Sequence, residues 1–134
     1  MIKLIAETAW HHEGDFVFMQ KLVSDICNEE SVDIIKLHIT LDIDEYMSRE
    51  NELYETLNEW LFNSDQWEKI INIVRNKNKK LMILCNDTQA IKFASSFSPE
   101  YVELHALCMN VPALQNQILE MLNQNTKIVI GVGG

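Results

Sequence analysis

Positive charge is scarce in this chain. Eleven lysines and arginines stand against twenty aspartates and glutamates, a formal net charge of −9 at pH 7. Nucleic acids and anionic membranes both recruit a basic face, so neither is an expected partner. Cysteine is scarce as well. Cys27, Cys85 and Cys108 are odd in number and unclustered, which fits neither a disulfide framework nor a zinc motif. Reduced thiols in a reducing compartment are expected. No apolar run approaches the length of a membrane span. The opening MIKLIAETAW carries too short an apolar stretch for a signal peptide. Together these absences predict a cytoplasmic protein. Metal-ligand spacings are missing too: His11 and His12 are adjacent, and no His-x-x-x-His occurs.

The composition that remains is that of a folded domain. The chain has 134 residues, 47% of them hydrophobic, enough for one core and one domain. Short β-rich apolar runs fall at about 3–8, 33–39, 80–85, 101–107 and 127–132. Helical periods separate them. Phe16, Met19, Leu22, Val23 and Ile26 share one face, as do Trp67, Ile70, Ile71 and Val74. Ala90, Ala94 and Phe97 form a third stripe, and Val111, Leu114, Ile118 and Met121 a fourth. Asn63 with Gln66 three residues on predicts a capping box. Asp87-Thr88 is a candidate cap, and Pro112 suits a first helical turn.

Strands alternating with helices predict an α/β fold with a parallel (β/α) repeat and right-handed crossovers. A doubly wound sheet and the first five strands of a TIM-type barrel both satisfy the pattern. The absence of any sign of a switch favours strand order 1-2-3-4-5, with the helices on one face. The segment from Ile43 to Phe62 is a long, acidic, partly helical insertion after strand two, where barrel loops form the functional rim. The closing KIVIGVGG reads as a strand running into a glycine turn with no covering helix. It suggests a truncated barrel, with residues 1–134 the N-terminal part of something longer. Such a piece is expected to self-associate through its open strand edges.

Four histidines, His11, His12, His38 and His105, fall at or near the C-terminal ends of strands, the rim where parallel α/β folds bind ligands. Alternation places Lys36, His38 and Thr40 on one face of strand two, and Glu7 with Ile5 in strand one. A charged residue inside a parallel strand is costly unless it is paired or functional. Glu7 and Lys36 lie on adjacent strands and are expected to pair, either as a structural ion pair or as part of a site. Glu103 and His105 share a face of strand four. Cys85 has no neighbouring base and reads as a buried thiol. Trp10 reads as a core aromatic sooner than as a ligand platform.

The stretch Ile5-Ala6-Glu7-Thr8-Ala9-Trp10-His11-His12-Glu13-Gly14-Asp15 resembles the opening of the sialic acid synthase family. That opening has a strand reading IAE, then a loop reading roughly NH, a variable residue, G and D. Val32-Asp33-Ile34-Ile35-Lys36-Leu37-His38 is similar to the family's second strand. The 54–87, 101–112 and 127–134 segments agree with the family in order and spacing more than in identity. The resemblance implies a (β/α)8 barrel that condenses phosphoenolpyruvate with an N-acetylmannosamine-type sugar, aided by a divalent metal. It assigns catalytic roles to Glu7 and Lys36. His11, His12, His38, Asn86 and His105 become candidate substrate-binding residues. Departures are also visible. His11 replaces the loop asparagine, and His38 stands where the family has glutamine. Cys85-Asn86-Asp87 replaces a Ser-Thr-Pro-Phe motif. The strand-four lysine falls on Val102 or Glu103. The family's metal histidines come from later strands than these five, so no metal ligand is assigned here. The resulting expectation is a synthase-like domain that is inactive by itself. The alternative is a divergent barrel that binds a sugar or metabolite without this condensation.

Overall fold

The computed structural model describes residues 2–108, 110–121 and 125–132. The glycine turn expected at 133–134 lies outside them. Five strands form one parallel sheet in the order β1-β2-β3-β4-β5: β1 Ile5–Glu7, β2 Ile34–Ile39, β3 Lys80–Cys85, β4 Tyr101–Leu104 and β5 Lys127–Ile130. Strand one lies at an edge, so the doubly wound alternative is excluded. The architecture is α/β, laid out like the first five strands of a TIM-type barrel.

Among the described residues, six helices connect the strands. They are α1 Phe16–Asn28, α2 Ile43–Tyr46, α3 Tyr54–Glu59, α4 Ser64–Asn76, α5 Thr88–Ser95 and α6 Pro112–Met121. Local chemistry starts most of the longer ones. Asp15 caps α1 by accepting from the Phe18 N–H at 2.8 Å. Asn63 and Gln66 form the expected capping box of α4, satisfying donors that a helix start leaves orphaned. Asp87 caps α5. Pro112 begins α6, where its missing N–H costs nothing. Strand four is shorter than the sequence pattern suggests. After Leu104 the chain turns into a single 3₁₀ turn at Ala106–Cys108, so the apolar run continues past the strand as a loop.

Alternate strand residues divide the sheet into two unlike faces. Ile35, Leu37, Ile39, Leu81, Ile83, Cys85, Val102 and Leu104 meet the helix stripes in the main core, with Met19, Val23, Trp67, Ile70, Ile71 and Val74. Val111 is the exception among the stripe residues and is 39% exposed. Lys36, His38, Met82, Leu84 and Glu103 occupy the intervening positions, on the inner face away from the helices. Ile34, Met82 and Leu84 are buried there, outside the main core cluster. The side chains of this face therefore shield one another, as they do inside a barrel wall.

At the N-terminal ends of the strands, Glu100 accepts from the Leu81 N–H at 2.9 Å and from Arg75 at 2.8 Å. Arg75 also donates to the carbonyl oxygens of Phe97 and Ser98. This lock ties α4 to the entry of β3 and β4. At the opposite rim the 43–62 insertion is fastened down. Its Glu45 accepts from the Thr88 N–H and hydroxyl, both at 2.8 Å, and Asp42 accepts from Gln89 at 3.0 Å. The Asp87 carboxylate, fully buried, accepts from the Leu41 N–H at 2.7 Å while capping α5. One aspartate thus joins the loops after β2 and β3.

Candidate functional site

The parallel register sets the site. Glu7 lies opposite Lys36. One residue pair further toward the C-terminal rim, His38 lies opposite Leu84, and Leu84 opposite Glu103. The Lys36 ammonium reaches both carboxylates: Nζ is 2.7 Å from Glu7 Oε2 and 2.7 Å from Glu103 Oε2. His38 Nε2 is 3.2 Å from Glu7 Oε1. That contact is close enough for charge to matter but is not aligned as a hydrogen bond. Of the two positions where the sequence comparison placed a strand-four lysine, Val102 is fully buried in the helix-side core. Glu103 is the one that faces inward.

Each group is tuned by its neighbours. Partial burial pushes the Glu7 carboxyl up, but the Lys36 hydrogen bond and the charges of His38 and Lys36 outweigh it, and the net direction is down. Burial pulls Lys36 down, yet its hydrogen bonds to Glu103 and Glu7 outweigh that and hold it above the usual lysine range. Burial lowers His38, and the charge of Glu7 only partly offsets it. At neutral pH the cluster therefore holds an ammonium between two carboxylates, beside an uncharged imidazole. Such a set can bind hydroxyl groups in both donor and acceptor roles, and His38 can take up a proton beside Glu7. Glu7 is the opening of the site: its side chain is 43% exposed, against 11% for Lys36 and 13% for Glu103.

Not every candidate residue converges here. Glu7, Lys36 and His38 do, and His105 lies within electrostatic reach of His38. Asn86 sits at the rim, buried, donating from Nδ2 to the Thr40 hydroxyl at 2.9 Å. His11 is exposed, with Nδ1 3.1 Å from the Thr8 carbonyl oxygen. His12 is placed elsewhere altogether. It is 2% exposed and stacks on Phe62 at 4.4 Å between ring centroids, with Trp67 at 6.3 Å, on the helix side of the sheet. Its Nδ1 accepts from the Gly14 N–H at 3.1 Å. Burial among aromatics pulls its pKa down to about 4.

Much of the 5–15 stretch thus serves the backbone. Gly14 has φ of +79°, and a Cβ there would come within 3.2 Å of the Trp60 backbone, so glycine is required on both counts. Trp10 is half-buried and stacks with His12 and with Tyr46 of the insertion. Glu7 is the residue of this stretch that joins the inner-face cluster.

Two residues that matter were not singled out for the site. Alternation in the sequence puts Glu103 on one face with His105, although the strand ends at Leu104 and leaves His105 beyond it, and nothing in sequence shows that Lys36 spans two strands to reach Glu103. Asp87 was expected only as a cap, and its bond to Leu41 depends on tertiary contact. The three cysteines are free and buried, and burial pushes Cys85 far above the usual thiol range. Among the described residues, no group of three or more His, Cys, Asp or Glu side chains is placed to hold a metal ion. The inner-face carboxylates are bridged by Lys36 instead, so the described residues of this face do not fit a divalent metal. Also among the described residues, no helix is long and apolar enough to cross a membrane.

Comparison with protein-family models finds no match, and comparison with curated proteins finds none either. Solved structures do match. N-acetylneuraminic acid (sialic acid) synthetase from Leptospira borgpetersenii, crystallised with citrate, superposes with a TM-score of 0.73 at 10% identity, over 96% of this chain and 53% of that one. A Chromobacterium violaceum protein described as spore coat polysaccharide biosynthesis protein E gives 0.69 at 12% identity, over 97% of this chain and 48% of that one. The chain spans about half the length of these two structures. At such identities the likeness is one of fold, and the fold is the one that residues 5–15 pointed to: the (β/α) repeat of a sialic acid synthetase.

Proposed function

We propose that this chain is a synthase-like (β/α) domain of carbohydrate biosynthesis, the N-terminal part of a longer cytoplasmic barrel, whose inner face binds a sugar-type small molecule. The observation that carries the reading is the Lys36–Glu7–Glu103–His38 cluster, built on the inner face of a fold shared with a sialic acid synthetase. In the complete protein the reaction would be condensation of phosphoenolpyruvate with an N-acetylmannosamine-type sugar. Glu7 would orient the sugar, Lys36 would meet the anionic partner, and His38 would carry a proton. A divalent metal would be held by residues other than these.

A second reading is a divergent barrel that binds a sugar or metabolite without that condensation. Glu103 favours it, because Lys36 already has two carboxylate partners and offers little free positive charge to a phosphate.

Titration of this chain with N-acetylmannosamine and with phosphoenolpyruvate, followed through the His38 imidazole by NMR, tests both. A shift with the sugar supports the site. A shift with phosphoenolpyruvate as well supports the condensing reading. Silence with both ligands removes the site.

A further inference from the structure

We propose that Glu103 sets the charge of ligand that the inner face accepts. By pairing Lys36 with a second carboxylate, it makes the cluster select a hydroxyl-rich ligand without an anionic group. This rests on the second reading of that face, a site that binds a sugar or metabolite without the phosphoenolpyruvate condensation, and specifies which substrate class the site takes.

Charge and geometry carry the inference. Lys36 is the cation at the centre of the cluster, and both of its carboxylate contacts are at 2.7 Å. Pairs this short are charge-assisted hydrogen bonds, not loose ion pairs. With His38 held neutral, two carboxylates face one ammonium, so the cluster carries a net negative charge. The Lys127 ammonium is on the neighbouring strand but lies over the Tyr101 ring at 5.9 Å, at the start of β4 and away from the rim. An approaching phosphate or carboxylate would have to displace Glu7 or Glu103 from Lys36 and then sit beside it. In a partly buried site like charges a few ångströms apart repel strongly. A hydroxyl group meets no such barrier. It can donate to Glu7, whose carboxylate is the exposed member, and exchange hydrogen bonds with the neutral His38 imidazole.

Glu103 is suited to this role because it is not the opening of the site. Its side chain is only 13% exposed and its backbone lies in register with Leu84 and Val129. It can therefore hold Lys36 in place while ligands come and go at Glu7. A residue acting only as structural support would leave ligand charge preference unchanged when made neutral.

The test compares this chain with its Glu103→Gln and Glu103→Ala variants by calorimetric and NMR titration. The probes are inorganic phosphate, phosphoenolpyruvate and N-acetylmannosamine at pH 7. Amide fingerprint spectra establish that each variant folds. Either variant should bind phosphoenolpyruvate at least about tenfold more tightly than the parent, because one like charge has gone. The gain should fade with added salt, and Lys36→Met in the Glu103→Gln background should abolish it. Sugar affinity should change far less. Equal phosphoenolpyruvate affinity in parent and variants overturns the proposal. A gain in anion affinity with no sugar binding in any form would keep the role of Glu103 and remove the sugar-binding reading instead.

Discussion

The two faces of the sheet use the same strands and obey opposite rules. On the helix side, Ile35, Leu37, Ile39, Leu81, Ile83 and Val102 are aliphatic and completely buried. On the inner side the intervening residues include Lys36, His38 and Glu103, joined to Glu7. A histidine occurs on each side, and the pair makes the contrast concrete. His12 stacks among aromatic rings, where burial alone lowers its pKa. His38 is also lowered by burial, but Glu7, Lys36, Glu103 and His105 all act on it as well. Stability is concentrated on one face. Polar chemistry is collected on the other, where each charge is tolerated because it has a partner.

The contrast can be attacked first at the core. Trp67 is 2% exposed and stacks edge-on to Phe62. Trp67→Ala should destabilise the fold by about 3–5 kcal/mol, the range for emptying a large aromatic site. Urea denaturation would measure it, and a loss below about 1 kcal/mol would mean that the helix side is not the main source of stability.

His12 supplies a second attack, through pH. Its folded pKa of about 4 lies below the ordinary value of 6.5, so between these values the unfolded chain binds the extra proton. Stability is therefore fully present above pH 6.5 and falls as pH drops toward 4, by up to about 3 kcal/mol. Glu7 and Glu100, both held low, extend the loss to still lower pH, since their contribution disappears as pH falls through their folded values. Lys36 works at the other extreme: its raised pKa contributes below its unfolded value and is lost as strongly alkaline pH passes the folded one. Urea midpoints against pH, with an NMR titration of the His12 imidazole, would check this. A His12 that titrates near 6.5 would break the account.

Lys36→Met sharpens the contrast from the inner side. The ammonium disappears and two carboxylates are left facing each other, but Glu7 is exposed enough for water to screen it. Glu103, only 13% exposed, loses its partner, so the expected cost is roughly 2 kcal/mol, still below that of Trp67→Ala. Ligand binding on the inner face should be lost completely. A stability loss as large as that of the core variant would show the cluster to be structural.

The smallest effect is expected at the open edge. Ile130 is 50% exposed beside Leu119, which is 57% exposed. Leu104, Gln115, Ile118, Leu119, Ile128 and Ile130 line an apolar groove there. Ile130→Lys should alter stability by no more than about 0.5 kcal/mol and reduce self-association in sedimentation, because charge on an edge strand opposes pairing. Unchanged association would locate any contact between copies elsewhere.

Particular residues show how far the sequence could be read. The helix stripes, the Asn63–Gln66 box and the pairing of Glu7 with Lys36 were all legible, because each depends on periodicity or on neighbouring strands. His12 was not. It is two residues before Gly14 in a loop that ends at a rim, and the left-handed backbone at Ala9, Glu13 and Gly14 gives that loop a path on which His12 packs against Phe62. Glu103 was half legible: alternation gives its face, but not the reach of Lys36 across β3.

The sequence by itself determined the order of strands and helices, the two-faced character of each strand and the caps that start the helices. These follow from the 2.0 and 3.6 residue periods and from side chains satisfying donors within a few positions. Beyond the pairing of Glu7 with Lys36, only the tertiary structure decided which of the charged residues meet. Contacts between Lys36 and Glu103, or between Asp87 and Leu41, join residues dozens of positions apart, and their distances depend on parallel register and on burial. It is the same packing that left Lys36 between two carboxylates and placed His12 in the core.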